Sequence, residues 1–153
     1  MVPSVPEDPF KHFEDYYGWD SAGYVIISGT SANMVCAEYK GEQQAFDHSV
    51  TGTYTAKAKG LYRISASCDV YSTNTGAYQN IANIYINTTG QKYGQNTSYQ
   101  FVHSSGKIQF ALYIENLIAL QVGQTFLAQA SIINDGTNPS YMDNIQIIVV
   151  PAI

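Results

Sequence analysis

From residue 62 to residue 70 every second side chain is apolar: Tyr62, Ile64, Ala66, Cys68 and Val70 alternate with Arg63, Ser65, Ser67 and Asp69. Successive side chains of an extended chain point to opposite sides, so a period of two fits a strand with one buried face; a helix would scatter the same residues around its axis. The alternation returns at Ile108, Phe110, Leu112 and Ile114, at Phe126, Ala128, Ala130 and Ile132, and at Ile145, Ile147 and Val149. Between such runs lie turn-forming groups: Gly29-Thr30, Lys40-Gly41, Asn74-Thr75-Gly76, Thr89-Gly90, Ser105-Gly106 and Asp135-Gly136-Thr137-Asn138-Pro139. We place strands near 24–28, 33–39, 50–57, 60–71, 79–87, 98–103, 107–115, 124–133 and 143–150. Short strands at this spacing predict an all-β, antiparallel, two-sheet sandwich.

The last strand adds a constraint. Its inward set is Ile145, Ile147 and Val149, yet Ile148 and Val150 make the opposite face apolar as well. A strand apolar on both sides needs cover on both, and a second subunit can supply it.

Composition narrows the function classes. Charged residues are only 12% of the 153-residue chain, and there are 13 Tyr against 6 Phe and 1 Trp. A surface of Tyr, Ser, Asn and Gly gives contact area at low entropic cost, as binding surfaces do. Net charge is -5 with 7 Lys+Arg and no basic cluster. Nucleic acid needs a cationic track, so it is not an expected partner. The longest apolar run, Ile147 to Ile153, is far too short for a membrane-spanning helix, and membrane insertion is not expected. The opening MVPSVPEDPF lacks the basic and apolar regions of a secretory signal, which predicts a soluble protein made without export.

Residues 1–20 read as an arm before a domain spanning 21–153. Pro3, Pro6 and Pro9 stiffen its lead-in. Asp8, Pro9 and Gly18 then frame a short helix over 9–17, with Phe10, Phe13 and Tyr17 at i, i+3 and i+7 on one face. A helix of about ten residues is marginal alone. The stripe either folds back on its own domain or anchors the arm in pockets of another protein, and we expect anchoring.

Catalytic patterns are missing. His12, His48 and His103 have no ligand-spaced partners. Asp47-His48-Ser49 holds the three residue types of a hydrolase triad, but adjacent residues cannot converge in space as a triad requires. The sequence shows no nucleophile elbow, phosphate loop or dinucleotide fingerprint. We expect no enzyme activity and no cofactor. Cys36 and Cys68 match no metal spacing; they read as buried thiols, with a disulfide left open by the sequence. Asp135, Asn138 and Asp143 could offer oxygens to calcium, but a plain turn is the expected reading. Two glycosylation patterns, at Asn87 and Asn96, are read as incidental.

Several motifs together resemble a known family. Gly52-Thr53-Tyr54-Thr55-Ala56 followed by Ala58-Lys59-Gly60-Leu61-Tyr62 is similar to the "G-x-F-T-A … A-G-L-Y" approach to the long strand of the complement globular-head and tumour-necrosis-factor-like jelly rolls. Ala82–Asn87 resembles that family's apolar strand ending in Asn. Leu120-Gln121-Val122-Gly123-Gln124-Thr125-Phe126 resembles its "L-x-x-G-D-x-V" corner, with Gln124 where Asp is usual. Tyr141-Met142-Asp143-Asn144-Ile145-Gln146-Ile147 stands in the place of its "F-S-G-F-L" strand, without the Ser-Gly pair. The resemblance covers about residues 46–150.

It implies a jelly roll that forms a homotrimer. In that family the first long strand, the 107–115 strand and the last strand share a sheet, which predicts Tyr71, Tyr113, Ile148 and Val150 at or near a three-fold interface. With the arm taken as an anchor to a capsid or tail protein, the expected function is a trimeric virion structural protein, a capsid decoration or fibre head. The alternative is a carbohydrate- or receptor-binding module, lectin-like or ligand-like, acting outside the cell or at its surface on a glycan or receptor.

Overall fold

The computed structural model describes residues 15–17, 25–27, 31–36, 40–41, 46–49, 51–72, 79–89, 91–101, 108–133 and 140–152. Among them the chain forms strands only, β1(Asp15–Tyr17), β2(Val25–Ile27), β3(Ser31–Asn33), β4(Lys40–Gly41), β5(Phe46–His48), β6(Tyr54–Ala56), β7(Gly60–Ser72), β8(Gln79–Thr88), β9(Gln91–Phe101), β10(Ile108–Leu120), β11(Thr125–Ile133) and β12(Ser140–Ala152). They pair antiparallel into two sheets. The first runs β10-β7-β12-β1-β4, with β2 also on β12; the second runs β5-β6-β11-β8-β9, with β3 also on β11.

The core lies between the sheets and follows the period-two pattern. Tyr62, Ile64, Ala66, Cys68 and Val70 of β7, with Phe110, Leu112 and Ile114 of β10, are buried and face Phe126, Ala128, Ala130 and Ile132 of β11. Ile145, Ile147 and Val149 of β12 complete the layer. Burying each large apolar side chain contributes roughly 1.5–3 kcal/mol. The largest side chains gather at one end. Phe46 meets the rings of Tyr62 and Phe126 edge-on at 4.8 and 5.3 Å, and Tyr54 stacks on Phe126 at 4.8 Å.

This aromatic end explains the Gly-Tyr-Gly-Tyr spacing of the sequence. Gly52 sits at φ 85, and a Cβ there would lie 2.8 Å from the Met34 carbonyl oxygen, so only glycine fits. A Cβ at Gly60 would press on the Tyr62 ring at 3.2 Å. The Tyr62 hydroxyl donates to the Ala58 carbonyl at 2.7 Å, which satisfies its polar end. At the 120–126 corner the Gln121 amide donates to the Gln124 side-chain oxygen at 2.9 Å, so Gln124 supplies the acceptor that closes this turn.

Two expectations are corrected. The helix proposed for 9–17 does not reach its last turn: Asp15–Tyr17 is a strand, with Tyr16 opposite Ile148 on one side and Lys40 on the other. Hydrogen bonding to neighbours on both edges outweighs the weak preference of so short a segment for helix. These residues therefore belong to the first sheet, although the sequence reading put them in an arm before the domain. Phe10 and Phe13 lie outside the described residues. The strand expected over 33–39 is also displaced: β3 is Ser31–Asn33, and Met34 leaves the ladder to bury its side chain while its amide donates to the Ala128 carbonyl at 2.8 Å.

Candidate functional site

β7, β10 and β12 lie side by side, and their register defines the outer face of the first sheet. Outward residues fall in rows across β10, β7 and β12. In order they are Gln109–Tyr71–Tyr141, Ala111–Asp69–Asp143, Tyr113–Ser67–Gln146, Glu115–Ser65–Ile148, Leu117–Arg63–Val150 and Ala119–Leu61–Ala152. The face has two unlike ends.

At the Leu61 end the surface is apolar. Leu117 is 55% exposed, Tyr113 52% and Leu61 40%, with half-buried Val150 and Ile148 beside them. One charge network crosses it. Arg63 Nε lies 3.3 Å from Glu115 Oε1, and the Tyr113 hydroxyl donates to Glu115 Oε2. That hydrogen bond, with a smaller contribution from desolvation, raises the Tyr113 phenol above its ordinary value of 10.0.

At the Tyr71 end the surface is aromatic and anionic. Tyr71 and Tyr141 stand directly opposite and stack with ring centroids 5.3 Å apart at 29°. One row along, Asp69 opposes Asp143. β12 carries a bulge there, with Asn144 at φ 50 and its amide nitrogen donating to Asp69 Oδ2 at 2.7 Å. Beneath them Cys68 is buried. Burial, and then the two carboxylates, push its thiol well above the ordinary range, so it stays protonated and unreactive. Cys36 is half-buried, and no disulfide joins the two cysteines.

Of the residues expected at an interface, Tyr113, Ile148 and Val150 fall near one another on this face, while Tyr71 sits at its other end. Leu61 and Leu117 were not among them. Leu61 was readable, because alternation with buried Tyr62 turns it outward. Leu117 lies beyond the expected end of its strand, which runs on to Leu120. Of the stripe Phe10, Phe13 and Tyr17, only Tyr17 is described, opposite Ile147 in the first sheet.

The outer face of the second sheet is chemically different. Asn87 donates to Gln129 Oε1 at 2.8 Å, Gln129 donates to Asn33 Oδ1 at 2.7 Å, and Asn33 donates to the Thr51 carbonyl at 3.1 Å. This amide chain ties β8, β11 and β3 to the 49–53 turn. Asn83 and Ser131 are buried beside it and bond to each other at 3.3 Å. The amide of Asn87 is thus engaged inside the sheet. Among the described residues no group of three or more His, Cys, Asp or Glu could hold a metal ion, and no helix is long and apolar enough to cross a membrane. The segment 134–139, where calcium was considered, lies outside the described residues.

No protein-family model matches the chain, and no curated protein matches it. Solved structures do. Eiger TNF from S. frugiperda superposes with a TM-score of 0.54 at 10% identity, covering 93% of each chain. The globular domain of zebrafish complement 1qA protein gives 0.55 at 9% identity, covering 94% of this chain and 98% of that one. The chain has a jelly-roll fold. At such low identity the likeness establishes the fold and leaves function to the site itself.

Proposed function

We propose that this jelly roll is a self-assembling binding module, a homotrimer built through the apolar end of the first sheet's outer face. The observation that carries this is the open cluster of Leu61, Tyr113 and Leu117 beside Val150. Apolar residues grouped on a sheet face mark an interaction site, and a contact between unlike patches whose rotation closes gives a ring of identical copies. The copy number of three comes from the likeness to the tumour-necrosis-factor and complement jelly rolls. The same likeness favours a module that binds a receptor or glycan outside the cell or at its surface over a capsid decoration or fibre head. The virion reading leaned on an anchoring arm, of which Phe10 and Phe13 lie outside the described residues and Tyr17 is strand.

No catalytic role is proposed. Of the first sheet's outward acids, Glu115 lies by Arg63 and Asp69 accepts from Asn144. The mass of the native protein in solution tests assembly directly. A stable trimer at micromolar concentration is expected, and a well-folded monomer under those conditions overturns the proposal.

A further inference from the structure

Arg63 is the only arginine in the chain, which otherwise uses lysine for its positive side chains. The sheet register sets it between Leu117 of β10 and Val150 of β12, within the cluster proposed to assemble. We propose that Arg63 is the residue through which this face selects a second copy of the chain. Its guanidinium, steadied by Glu115 of its own chain, donates its remaining N–H groups to oxygen acceptors on the next copy. The proposal rests on the assembly reading above and adds what decides the partner.

The argument begins with position. Leu117 and Val150 flank Arg63 in one row, so a surface that covers both covers Arg63 as well. Its side chain is 56% exposed, and water serves its N–H groups. Taking them out of water costs free energy unless protein acceptors replace the water. Among the described residues its ionic contact is with Glu115, Nε to Oε1 at 3.3 Å, while Glu115 Oε2 accepts the Tyr113 hydroxyl. That contact takes up the Nε edge of a guanidinium that also carries two terminal nitrogens. Whatever covers the face has to supply acceptors for these.

Residue type is the second observation. The chain makes an exposed ion pair elsewhere with lysine, Lys57 to Asp47 at 3.8 Å. Lysine is a compact, strongly hydrated charge. Arginine is planar, more weakly hydrated and donates as a fixed fork, which suits a contact that loses its water. Arginine is also enriched among the residues that dominate interfaces.

Charge balance points to an identical copy. The rows Glu115–Ser65–Ile148, Leu117–Arg63–Val150 and Ala119–Leu61–Ala152 hold one acid and one base, in a chain whose net charge is -5. A locally neutral patch lets copies of an acidic chain meet there without net repulsion. A strongly acidic or basic partner would leave one of the two charges unmatched, and a purely apolar one would strand the guanidinium.

The test uses the intact protein and two readouts. Sedimentation at graded concentration gives the dissociation constant of the assembly, and nitrogen-15 NMR reports the guanidinium, whose signals need no assignment in a chain with a single arginine. In the native assembly these signals should show slow exchange with water and hindered rotation. Arg63→Leu, checked for an unchanged fold by circular dichroism, decides by its sign. If the next copy engages the guanidinium, the variant strands acceptors on both chains and weakens assembly about a hundredfold. If nothing engages it, leucine adds apolar surface to an apolar patch and tightens assembly. Arg63→Lys keeps the charge and loses the fork, and should weaken assembly about tenfold. Lys57→Leu breaks the exposed pair elsewhere and should change it by no more than about twofold. Assembly as tight or tighter in Arg63→Leu overturns the proposal. So do guanidinium signals that exchange as fast in the native assembly as those of free arginine, a result that needs no variant. Either result leaves the assembly itself standing, whereas a native mass of one chain removes the assembly reading and this proposal with it.

Discussion

The two outer faces of this sandwich solve the same problem in opposite ways. The second sheet turns its amides on one another, Asn87 to Gln129 to Asn33, and ends the chain of bonds on a backbone carbonyl. Among the described residues these three amides satisfy one another. The first sheet leaves Leu61 and Leu117 open beside an Arg63–Glu115–Tyr113 network, with Asp69 and Asp143 at the other end of the face. A saturated polar face gains little from a partner, whereas an open apolar face gains the hydrophobic contribution of whatever covers it. The difference supports the first sheet's outer face as the one proposed to assemble.

The strongest way to break this comparison is to charge the apolar face. Val150→Asp or Leu117→Asp places a carboxylate where the proposal buries a side chain, and an unpaired charge in an interface is costly enough to abolish it. The expected outcome is a fall in native mass to that of one chain, or insoluble protein, read by light scattering after size exclusion. An unchanged mass in both variants would move the interface elsewhere.

The matching change on the second sheet should leave mass alone and cost stability. Gln129→Leu removes the middle of the amide chain and strands the Asn87 donor and the Asn33 acceptor. Each half-buried group left without its partner costs about 1–3 kcal/mol, and less where water reaches it. A lower melting temperature with an intact oligomer is expected. A loss of mass on Gln129→Leu would show that the second sheet also faces a partner.

The sequence made one half of this comparison legible and hid the other. The strict alternation of Tyr62 to Val70 placed the inward residues of β7, and the same logic placed those of β10, β11 and β12. Gly52, in the motif that leads into the long strand, sits where positive φ and the Met34 carbonyl exclude a Cβ, while most glycines read as turn formers lie outside the described residues. Apolar outward residues on β12 already asked for cover at Ile148 and Val150. The amide chain was invisible, because Asn33, Asn87 and Gln129 are far apart in sequence and only sheet register brings them together. The bulge at Asn144 was equally unreadable: one positive φ re-aims a side chain without changing the hydrophobic pattern. Tyr17 failed as part of a helical stripe because spacing alone cannot tell a lone turn of helix from three residues that find strand partners on both sides.

The smallest expected effect concerns a polar feature of the face proposed to assemble. Glu115 accepts the Tyr113 hydroxyl and lies by Arg63, and the hydrogen bond holds the phenol above its ordinary value of 10.0. The folded chain binds that proton more tightly than the unfolded chain does. Its contribution to stability is therefore intact below the ordinary tyrosine value and is lost as pH rises through the folded one. Because Tyr113 is half exposed, solvent screens most of the gain, and the effect belongs to spectroscopy more than to melting curves. Ultraviolet titration of phenolate formation should show a late-ionising tyrosine that disappears in Tyr113→Phe. Glu115→Ala removes the acceptor of that bond together with the charge that penalises the phenolate. It should bring the titration back toward the ordinary value. If Tyr113 ionised no later in the native protein than in Glu115→Ala, the network would be a passing contact that fixes nothing on the first sheet's outer face.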